Sequence, residues 1–158
     1  RNDETTYKSD MITIRRAIIS DLDSLTSLFE AYRAFYRQPA DRDAAQHFLK
    51  ARMEAGESVV FLALIDDEAA GFTQLYPLFS STRMKNLWLL NDLFVAPEHR
   101  GKGISKLLLE KAKDLTRETG ACELMLETAK SNEIGNQLYP AAGFELNTDF
   151  NWYHWSVD

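Results

Sequence analysis

The chain contains one long apolar segment that runs directly into a glycine-rich turn and then into an amphipathic helix. The apolar segment, L-W-L-L-N-D-L-F-V at 87–95, predicts a strand that Pro97 ends. Residues 104–115 repeat apolar side chains at helical spacing, and C-E-L-M-L-E-T-A at 122–129 predicts a further strand. A strand, a helix and a strand in this order predict a right-handed parallel crossover.

Antiparallel pairing is expected around this crossover. The apolar periods and turn signals predict, in chain order, a strand at 12–17, a helix that Ser20 caps and Pro39 ends, a helix from Asp41 to Gly56, a hairpin of strands at 59–65 and 70–76, a short helix at 132–142 and two closing strands. The predicted fold class is therefore α/β, with a mixed, mostly antiparallel central sheet, a parallel strand–helix–strand core and flanking helices.

Length and composition favour one domain. The 158 residues, of which 45% are hydrophobic, are enough for a sizeable core. We predict a single domain at 11–158 behind a polar, flexible N-terminal extension at 1–10. The net charge of -6 argues against a nucleic-acid partner, and no apolar run reaches the roughly 20 residues that a membrane helix needs. Cys122, the single cysteine, fits a reducing compartment, so we predict a cytoplasmic protein.

The turn itself, E-H-R-G-K-G-I-S at 98–105, is basic in an acidic chain. Residues 98–113 hold five basic and two acidic side chains, a local charge of +3. The first N–H groups of a helix have no partner within the helix, and the helix dipole is positive there. Gly101 and Gly103 leave room for a close ligand, so the turn predicts an anion site, most naturally for a pyrophosphate. The P-loop and dinucleotide patterns do not fit, and a tight turn before a solvated helix is the alternative.

The motif R-G-K-G-I-S resembles the acyl-CoA-binding motif of the GNAT superfamily of N-acetyltransferases. Arg100 and Gly103 match that motif, whereas Ser105 departs from its final glycine or alanine with a small hydroxyl that can hydrogen-bond a phosphate. A second segment, N-E-I-G-N-Q-L-Y-P-A-A-G-F at 132–144, resembles another pattern of the family in the correct order and spacing. There Gly135 replaces the usual alanine, which should loosen the helix by up to about 1 kcal/mol.

The resemblance implies an acetyl-CoA-dependent N-acetyltransferase that needs no metal. The acetyl group would move from acetyl-CoA to a primary amine of a small molecule, peptide or protein, by direct attack in a ternary complex. In the family, the strand before the glycine motif splays from its neighbour and pairs through its main chain with the pantetheine arm. The residues at the positions implied to bind acetyl-CoA are Leu93, Phe94, Val95, Arg100, Gly101, Lys102, Gly103, Ile104, Ser105 and Asn132. A helix N-cap is the other role open to Asn132.

The implied catalytic residues are one tyrosine and one of two carboxylates. Tyr139 matches the family tyrosine that protonates the departing sulfur, with a core aromatic as the alternative. Asn91 and Asp92 interrupt an apolar strand, where strand alternation places them on opposite faces. Asn91, a candidate acceptor contact, cannot accept a proton. Two carboxylates are equally ranked candidate bases: Asp92 and, on the next predicted strand, Glu127. For each of them a purely structural hydrogen-bonding role is the alternative.

The first helix carries the candidate acceptor site. Tyr32, Phe35 and Tyr36 are candidates for an aromatic wall around a cation, and helix packing is the alternative. Arg33 and Arg37 could instead hold a carboxylate of the acceptor, whose identity the sequence does not give.

The last predicted strand suggests an assembly. Tyr153, Trp155 and Val157 alternate along it, and exposed apolar residues near a sheet edge favour pairing with a second subunit. We therefore predict a homodimer. Two other functional classes stay open: a non-catalytic CoA-binding or sensor module on the same fold, and a protein-interaction domain that uses the acidic surface.

Overall fold

The computed structural model describes residues 5–7 and 12–157 of the chain. Its strands are β1 (Thr5–Tyr7), β2 (Ile12–Arg16), β3 (Val59–Ile65), β4 (Glu68–Ser80), β5 (Lys85–Val95) and β6 (Leu124–Met125). Its α-helices are α1 (Leu22–Phe35), α2 (Arg42–Glu54), α3 (Ile104–Glu118) and α4 (Glu133–Ala141), with 3-10 helices at Ile19–Asp21 and Pro97–His99. The chain divides into two compact units, Arg1–Glu127 and Thr128–Asp158.

The first unit contains a six-stranded sheet in which the strands follow chain order from β1 to β6. Every neighbouring pair is antiparallel except β5 and β6, which are parallel and are connected through α3. The predicted mixed sheet with one parallel crossover is therefore confirmed. Asp66 and Asp67 join β3 to β4 with left-handed φ angles of 48° and 67°, as a two-residue hairpin turn requires.

Helices cover both faces of this sheet. Every residue of β3 is buried, and its Val60 and Leu62 join the core under α1 and α2. Phe61, between them, points to the other face, where Lys111 of α3 lies 5.9 Å above its ring. The apolar residues of α3 that pack there are almost fully buried; they are Ile104, Leu108, Leu109 and Ala112.

The turn before α1 is stabilised by the side chain of Asp21 and not by the predicted Ser20. Asp21 accepts hydrogen bonds from Nη1 and Nη2 of Arg15, both at 2.8 Å, and from the main-chain N–H of Ile18 at 2.8 Å. The hydrogen bonds from Arg15 hold the pKa of Asp21 below its usual range. The prediction of a Ser20 cap is wrong because a bidentate carboxylate–guanidinium pair satisfies this turn.

Two other expectations differ from the structure. Thr5–Tyr7 pairs with β2, whereas the sequence predicts an extension at 1–10; residues 1–4 and 8–11 lie outside the described part. Residues 144–157 contain no strand. Alternating side chains alone did not create the two closing strands, because an isolated hairpin is only marginally stable in water.

Candidate active site

A β-bulge in β5 sets the direction of the side chains near the end of this strand. Gln74 pairs with Asp92 and Leu75 pairs with Leu90, so Asn91 is the extra residue. Because Gln74 and Leu75 point to opposite faces of the sheet, their partners do so as well. Asp92 therefore lies on the same face as Gln74, the face that α1 and α2 cover.

The Asp92 carboxylate is held by its neighbours within this face. It is 3% exposed, and it accepts hydrogen bonds from Gln74 Nε2 at 2.7 Å and from Asn91 Nδ2 at 3.1 Å. Thr73 Oγ1 donates to the Asp92 carbonyl oxygen at 2.8 Å, which satisfies a main-chain group at the bulge. Strand alternation predicts that the side chains of Asn91 and Asp92 point to opposite faces of the sheet. This prediction is wrong, because the bulge breaks the alternation and the two side chains contact each other.

The environment of Asp92 changes its acidity. Burial raises the pKa of the Asp92 carboxyl above its usual range, while hydrogen bonds from Gln74, Tyr32 and Asn91 oppose part of this rise. Burial, and then the nearby charge of Asp92, raise the pKa of Tyr76 to about 12. A buried carboxylate with a raised pKa accepts a proton more readily than an exposed one, so this site can act as a base.

Gln74 is a site residue that the sequence reading missed. Its side chain is fully buried, and no donor from the described residues lies within hydrogen-bond distance of its Oε1. The sequence does contain a signal for Gln74, because it is a polar residue within the apolar strand A-G-F-T-Q-L-Y. Asn91 and Asp92 interrupt the apolar segment 87–95 in the same way. What the sequence did not contain was the register that places Gln74 beside Asp92.

The three predicted wall residues divide into one that packs against the core and two at the surface. Tyr32 packs edge-on against the ring of Phe72, 5.9 Å away, and against that of Phe94, 6.1 Å away. Phe35 and Tyr36 are 63% and 53% exposed, and the Tyr36 ring lies 5.0 Å from Tyr32. The three predicted wall residues are therefore adjacent, with Tyr32 reaching from the aromatic core to the Asp92 carboxylate.

Arg33 of α1 and Arg37, which follows this helix, offer the alternative acceptor contact. Nη1 of Arg33 is buried and has no hydrogen-bond partner within residues 5–7 and 12–157. Arg37, just beyond α1, has a left-handed φ of 58° and an exposed side chain. Arg33 is thus the better placed of the two for an acceptor carboxylate.

Strand β5 separates from β6 before its final residues. The two strands pair only at Trp88 with Leu124 and at Leu89 with Met125. Beyond Leu89, no strand of the described part pairs with this edge of β5, so the edge is open toward residues 93–95. The splay implied by the resemblance is present, and it gives an extended ligand a main-chain edge to pair with.

Side chains of this splayed segment have separate roles. Phe94 is buried in the core, and Leu93 and Val95 are partly buried. The Val95 carbonyl oxygen accepts from Nε of Arg100 at 3.0 Å, and the Arg100 guanidinium lies 5.8 Å from the Phe94 ring. Arg100 therefore ties the glycine turn to the end of β5.

The glycine turn leaves open space at the start of α3. Gly101 and Gly103 have left-handed φ angles of 80° and 79°, and a Cβ on either would meet no atom within 4 Å. Gly103 is the N-cap of α3 and makes no side-chain cap, so the first helical N–H groups stay available. Lys102 is exposed, Ser105 is partly exposed, and the first turn contains no acidic residue. This geometry fits a phosphate group.

Ile104 and Glu127 differ from this pattern. The Ile104 side chain is buried in the core, so only its main chain can contact a ligand. Glu127 lies two residues past β6 and is exposed, and its predicted place on a strand is wrong because β6 ends at Met125. Of the two candidate bases, Asp92 alone is buried and hydrogen-bonded as described above.

The second unit holds Asn132 and Tyr139 on α4. Asn132 caps this helix, since its Oδ1 accepts from Gly135 N at 3.1 Å and its Nδ2 donates to Thr128 Oγ1 at 2.9 Å. A Cβ on Gly135 would lie 2.5 Å from Asn132 Nδ2 and 3.2 Å from Tyr139 Cε2. The Tyr139 ring packs edge-on against Phe144 at 6.0 Å. Glycine at 135 therefore leaves room for both side chains, instead of being a mere weakness in the helix.

Comparison with known proteins decides the family. Residues 24–144 match the model of the acetyltransferase (GNAT) family. The chain belongs to this family. It is 46% identical over 142 residues to YhfO, an uncharacterized N-acetyltransferase of Bacillus subtilis, covering 90% of this chain and 95% of that protein. It is 34% identical over 128 residues to a probable acetyltransferase of Haemophilus influenzae, covering 80% and 86%.

A solved structure gives the same answer for this GNAT protein. A crystal structure of a probable acetyltransferase superposes with a TM-score of 0.88 at 38% identity, covering 92% of this chain and 97% of that one. The predictions of GNAT membership, of the α/β fold and of an acetyl-CoA-dependent N-acetyltransferase are confirmed. The roles assigned to individual site residues stay predictions.

Two further observations concern the remaining predictions. Within the described part of this GNAT acetyltransferase, no helix is long and apolar enough to cross a bilayer. Nor do those residues bring together three or more histidine, cysteine, aspartate or glutamate side chains that could hold a metal ion. The single domain, the cytoplasmic location and the homodimer stay predictions.

Proposed function

We propose that this GNAT protein transfers the acetyl group of acetyl-CoA to a primary amine of a small molecule or peptide, by direct attack in a ternary complex. The observation that carries the proposal is the continuity of β5. One strand presents the buried carboxylate of Asp92, then a free main-chain edge, and then the glycine turn at the start of α3. A base and an anion site on one rigid strand suit a reaction that needs both substrates bound together.

Asp92 is the base in this proposal. An alkyl ammonium has a pKa near 10.4, so it must lose a proton before it can attack. The raised pKa of the Asp92 carboxyl reduces the pKa difference between the ammonium that gives the proton and the carboxylate that takes it. Glu127 is exposed and has no comparable environment. We therefore rank Asp92 above Glu127, with Asn91 as the exposed neighbour that the acceptor passes.

The proposed step conserves protons and electrons. Acetyl-CoA supplies a thioester whose carbonyl carbon accepts a nucleophile. The acceptor ammonium gives one proton to Asp92, and the nitrogen lone pair forms the new C–N bond. The C–S bond breaks with its electron pair on sulfur, and the Tyr139 hydroxyl gives a proton to that sulfur. A second proton leaves the nitrogen and replaces the one lost from Tyr139. The net reaction yields an amide, a thiol and one proton.

The acetyl-CoA contacts follow from the same geometry. The N–H groups at the start of α3, with Lys102 and Ser105 beside them, would hold the pyrophosphate. The main chain of 93–95 would pair with the pantetheine arm, and a main-chain N–H of this segment would stabilise the charge that develops on the thioester oxygen. Arg100 would act by fixing the turn through its hydrogen bond to Val95.

The proposal is tested by thiol release from acetyl-CoA over a panel of amines. The panel contains polyamines, amino acids, aminoglycosides, and peptides with free N-termini or lysines. Amines without a carboxylate test the role of Asp92, and amino acids test Arg33. A clear hit supports the proposal, and Tyr139→Phe should then lower turnover while acetyl-CoA still binds. Tight acetyl-CoA binding without turnover of any amine would favour a sensor module instead.

We also propose that the protein is a homodimer. The exposed apolar side chains of the C-terminal segment support this proposal; they are Phe150, Trp152, Tyr153, Trp155 and Val157. Sedimentation equilibrium of the full chain tests it. A mass that stays monomeric at high concentration would contradict it.

A further inference from the structure

We infer that Gln74 is a positioning and specificity residue of this acetyl transfer, which holds Asp92 through Nε2 and receives an N–H of the acceptor's primary ammonium group on Oε1. The inference rests on the proposed function and names the class of acceptor. It begins with the geometry of one buried pair. Gln74 and Asp92 face each other across β4 and β5, and their side chains join at 2.7 Å on the covered face of the sheet.

The hydrogen-bonding capacity of the pair is only partly used. A carboxylate accepts about four hydrogen bonds, and Asp92 receives one each from Gln74, Asn91 and Tyr32. Within the described part of the chain these are its donors, so one acceptor position stays available on Asp92. Gln74 Oε1 has two lone pairs, and the described residues supply no donor for either.

An unsatisfied acceptor this deeply buried needs a donor. Gln74 is fully buried, and an unpaired buried polar group costs about 1–3 kcal/mol. A primary ammonium has three N–H groups on one atom, so it can donate to Asp92 and Gln74 together and keep one for a third partner. A secondary ammonium has only two N–H groups and an additional carbon in the same space. The pair therefore favours a primary amine.

The surroundings of the pair suit a cation. The Asp92 carboxylate accepts from Nδ2 of Asn91, an exposed residue, so a hydrogen bond connects the buried pair to a residue at the surface. Tyr32 hydrogen-bonds the same carboxylate and carries the neighbouring aromatic ring, and Tyr36 continues this aromatic surface outward. An ammonium on an alkyl arm can thus pass over aromatic rings to the pair.

The role of Gln74 has a consequence for the base. Its hydrogen bond to Asp92 lowers the pKa of a carboxyl that burial raises, so losing this bond raises that pKa further. The other titratable groups that act here are Tyr32 of α1, Tyr76 of β4 and, through Tyr76, Arg52 of α2. All of them stay unchanged when Gln74 alone is replaced.

The first measurement uses butylamine as the probe and the wild-type protein with CoA bound. The glutamine side-chain amides are labelled with nitrogen-15, and NMR records the chemical shifts of the Gln74 Nε2 group as butylammonium is added. We expect these resonances to shift with saturation, and N-methylbutylamine to shift them less. Butylamine that saturates the protein without moving them overturns the inference, and so does butylamine that neither binds nor reacts.

The second measurement compares Gln74→Met with Thr26→Val. Both replace a fully buried polar side chain by an apolar one of similar size, but among the described residues the Thr26 hydroxyl hydrogen-bonds to Leu22 O within α1 and not to Asp92. For Gln74→Met we expect kcat/KM for butylamine to fall roughly tenfold or more. The KM for acetyl-CoA should stay unchanged, and the acid limb of the pH profile should move to higher pH. Thr26→Val should change none of these.

The outcomes separate this inference from the proposed function. A folded Gln74→Met variant with an unchanged acid limb and unchanged kcat/KM overturns the inference, even if the enzyme acetylates amines. A wild-type protein that binds butylammonium at Gln74 but never releases thiol supports the inference and contradicts the proposed function. If Gln74→Met does not fold, the titration of the wild-type protein still decides.

Discussion

Gln74 Nε2 of β4 donates to Asp92 Oδ2 of β5 at 2.7 Å, directly beside the bulge at Asn91. This hydrogen bond depends on the bulge, which places the Asp92 side chain on the same face of the sheet as Gln74. In our proposal, the carboxylate held in this way is the base. A buried carboxylate and a buried carboxamide in an aromatic core are costly unless they are satisfied. Their presence at the strand that leads to the glycine turn is the basis on which we propose a functional site here.

Replacing Asp92 by asparagine should separate activity from folding. Asparagine has nearly the same shape but cannot accept a proton at neutral pH, so we expect Asp92→Asn to lower kcat by about 10²–10⁴-fold. Steady-state kinetics with an amine identified in the panel measures this loss. Acetyl-CoA affinity should stay unchanged, since the glycine turn is untouched. A kcat within a few-fold of the wild type would rule out Asp92 as the base.

The pH dependence of stability should have opposite signs at Asp92 and Asp21. The pKa of Asp92 is raised in the folded state, so its contribution is fully favourable below its unfolded pKa and is lost as pH rises through the folded value. The pKa of Asp21 is lowered, so its contribution is present above its unfolded pKa and is lost as pH falls through the folded value.

Thermal unfolding of the Asp92→Asn and Asp21→Asn variants, measured across a range of pH, tests these two predicted pH dependences. Relative to the wild type, Asp92→Asn should gain stability as pH rises from the unfolded pKa through the raised folded pKa of Asp92, and this gain should stay constant at higher pH. Asp21→Asn should lose stability near neutral pH by roughly 1–3 kcal/mol, because the charge-assisted hydrogen bonds from Arg15 to the Asp21 carboxylate are weakened. Parallel curves for the two variants would show that the assigned environments are wrong.

Gly103→Ala should weaken acetyl-CoA binding more than it weakens the fold. Alanine at a φ of 79° costs about 1 kcal/mol of strain, and its Cβ would occupy the open space where the phosphate is expected. Gly120→Ala is the matched control, since Gly120 has a φ of 65°, has the same open surroundings and follows the other end of α3. Calorimetry should show lost acetyl-CoA affinity for Gly103→Ala only. Equal losses in both variants would argue against an anion site at this turn.

Gly135→Ala should harm the enzyme although alanine favours helices. The added Cβ would overlap Asn132 Nδ2 and crowd Tyr139. We expect the helix gain of up to about 1 kcal/mol to become a net loss of similar size, together with a lower kcat. Urea unfolding and kinetics measure both. Gln137→Ala, at an exposed position of α4, should be neutral or stabilising and fully active. A stabilised, fully active Gly135→Ala variant would show that the contacts do not matter.

The parts of the site that depend on local chemistry were predictable from the sequence. The glycine turn, the start of α3 and the Asn132 cap follow from residues that are neighbours along the chain. The Gln74–Asp92 pair was not predictable, because a bulge changes the register between residues 18 positions apart. Glu127 was misplaced for a related reason, since its strand stops where β5 diverges from β6.

The most direct test of the account uses acetyl-CoA with an isotopically labelled acetyl group and a primary amine that the panel identifies. Wild-type enzyme and Asp92→Asn are compared at equal acetyl-CoA occupancy, and the product is analysed by mass spectrometry and NMR. The account predicts labelled acetyl on the amine nitrogen for the wild type, and at most about one hundredth of that rate for Asp92→Asn. Label on another atom, or equal rates for the two proteins, would contradict it.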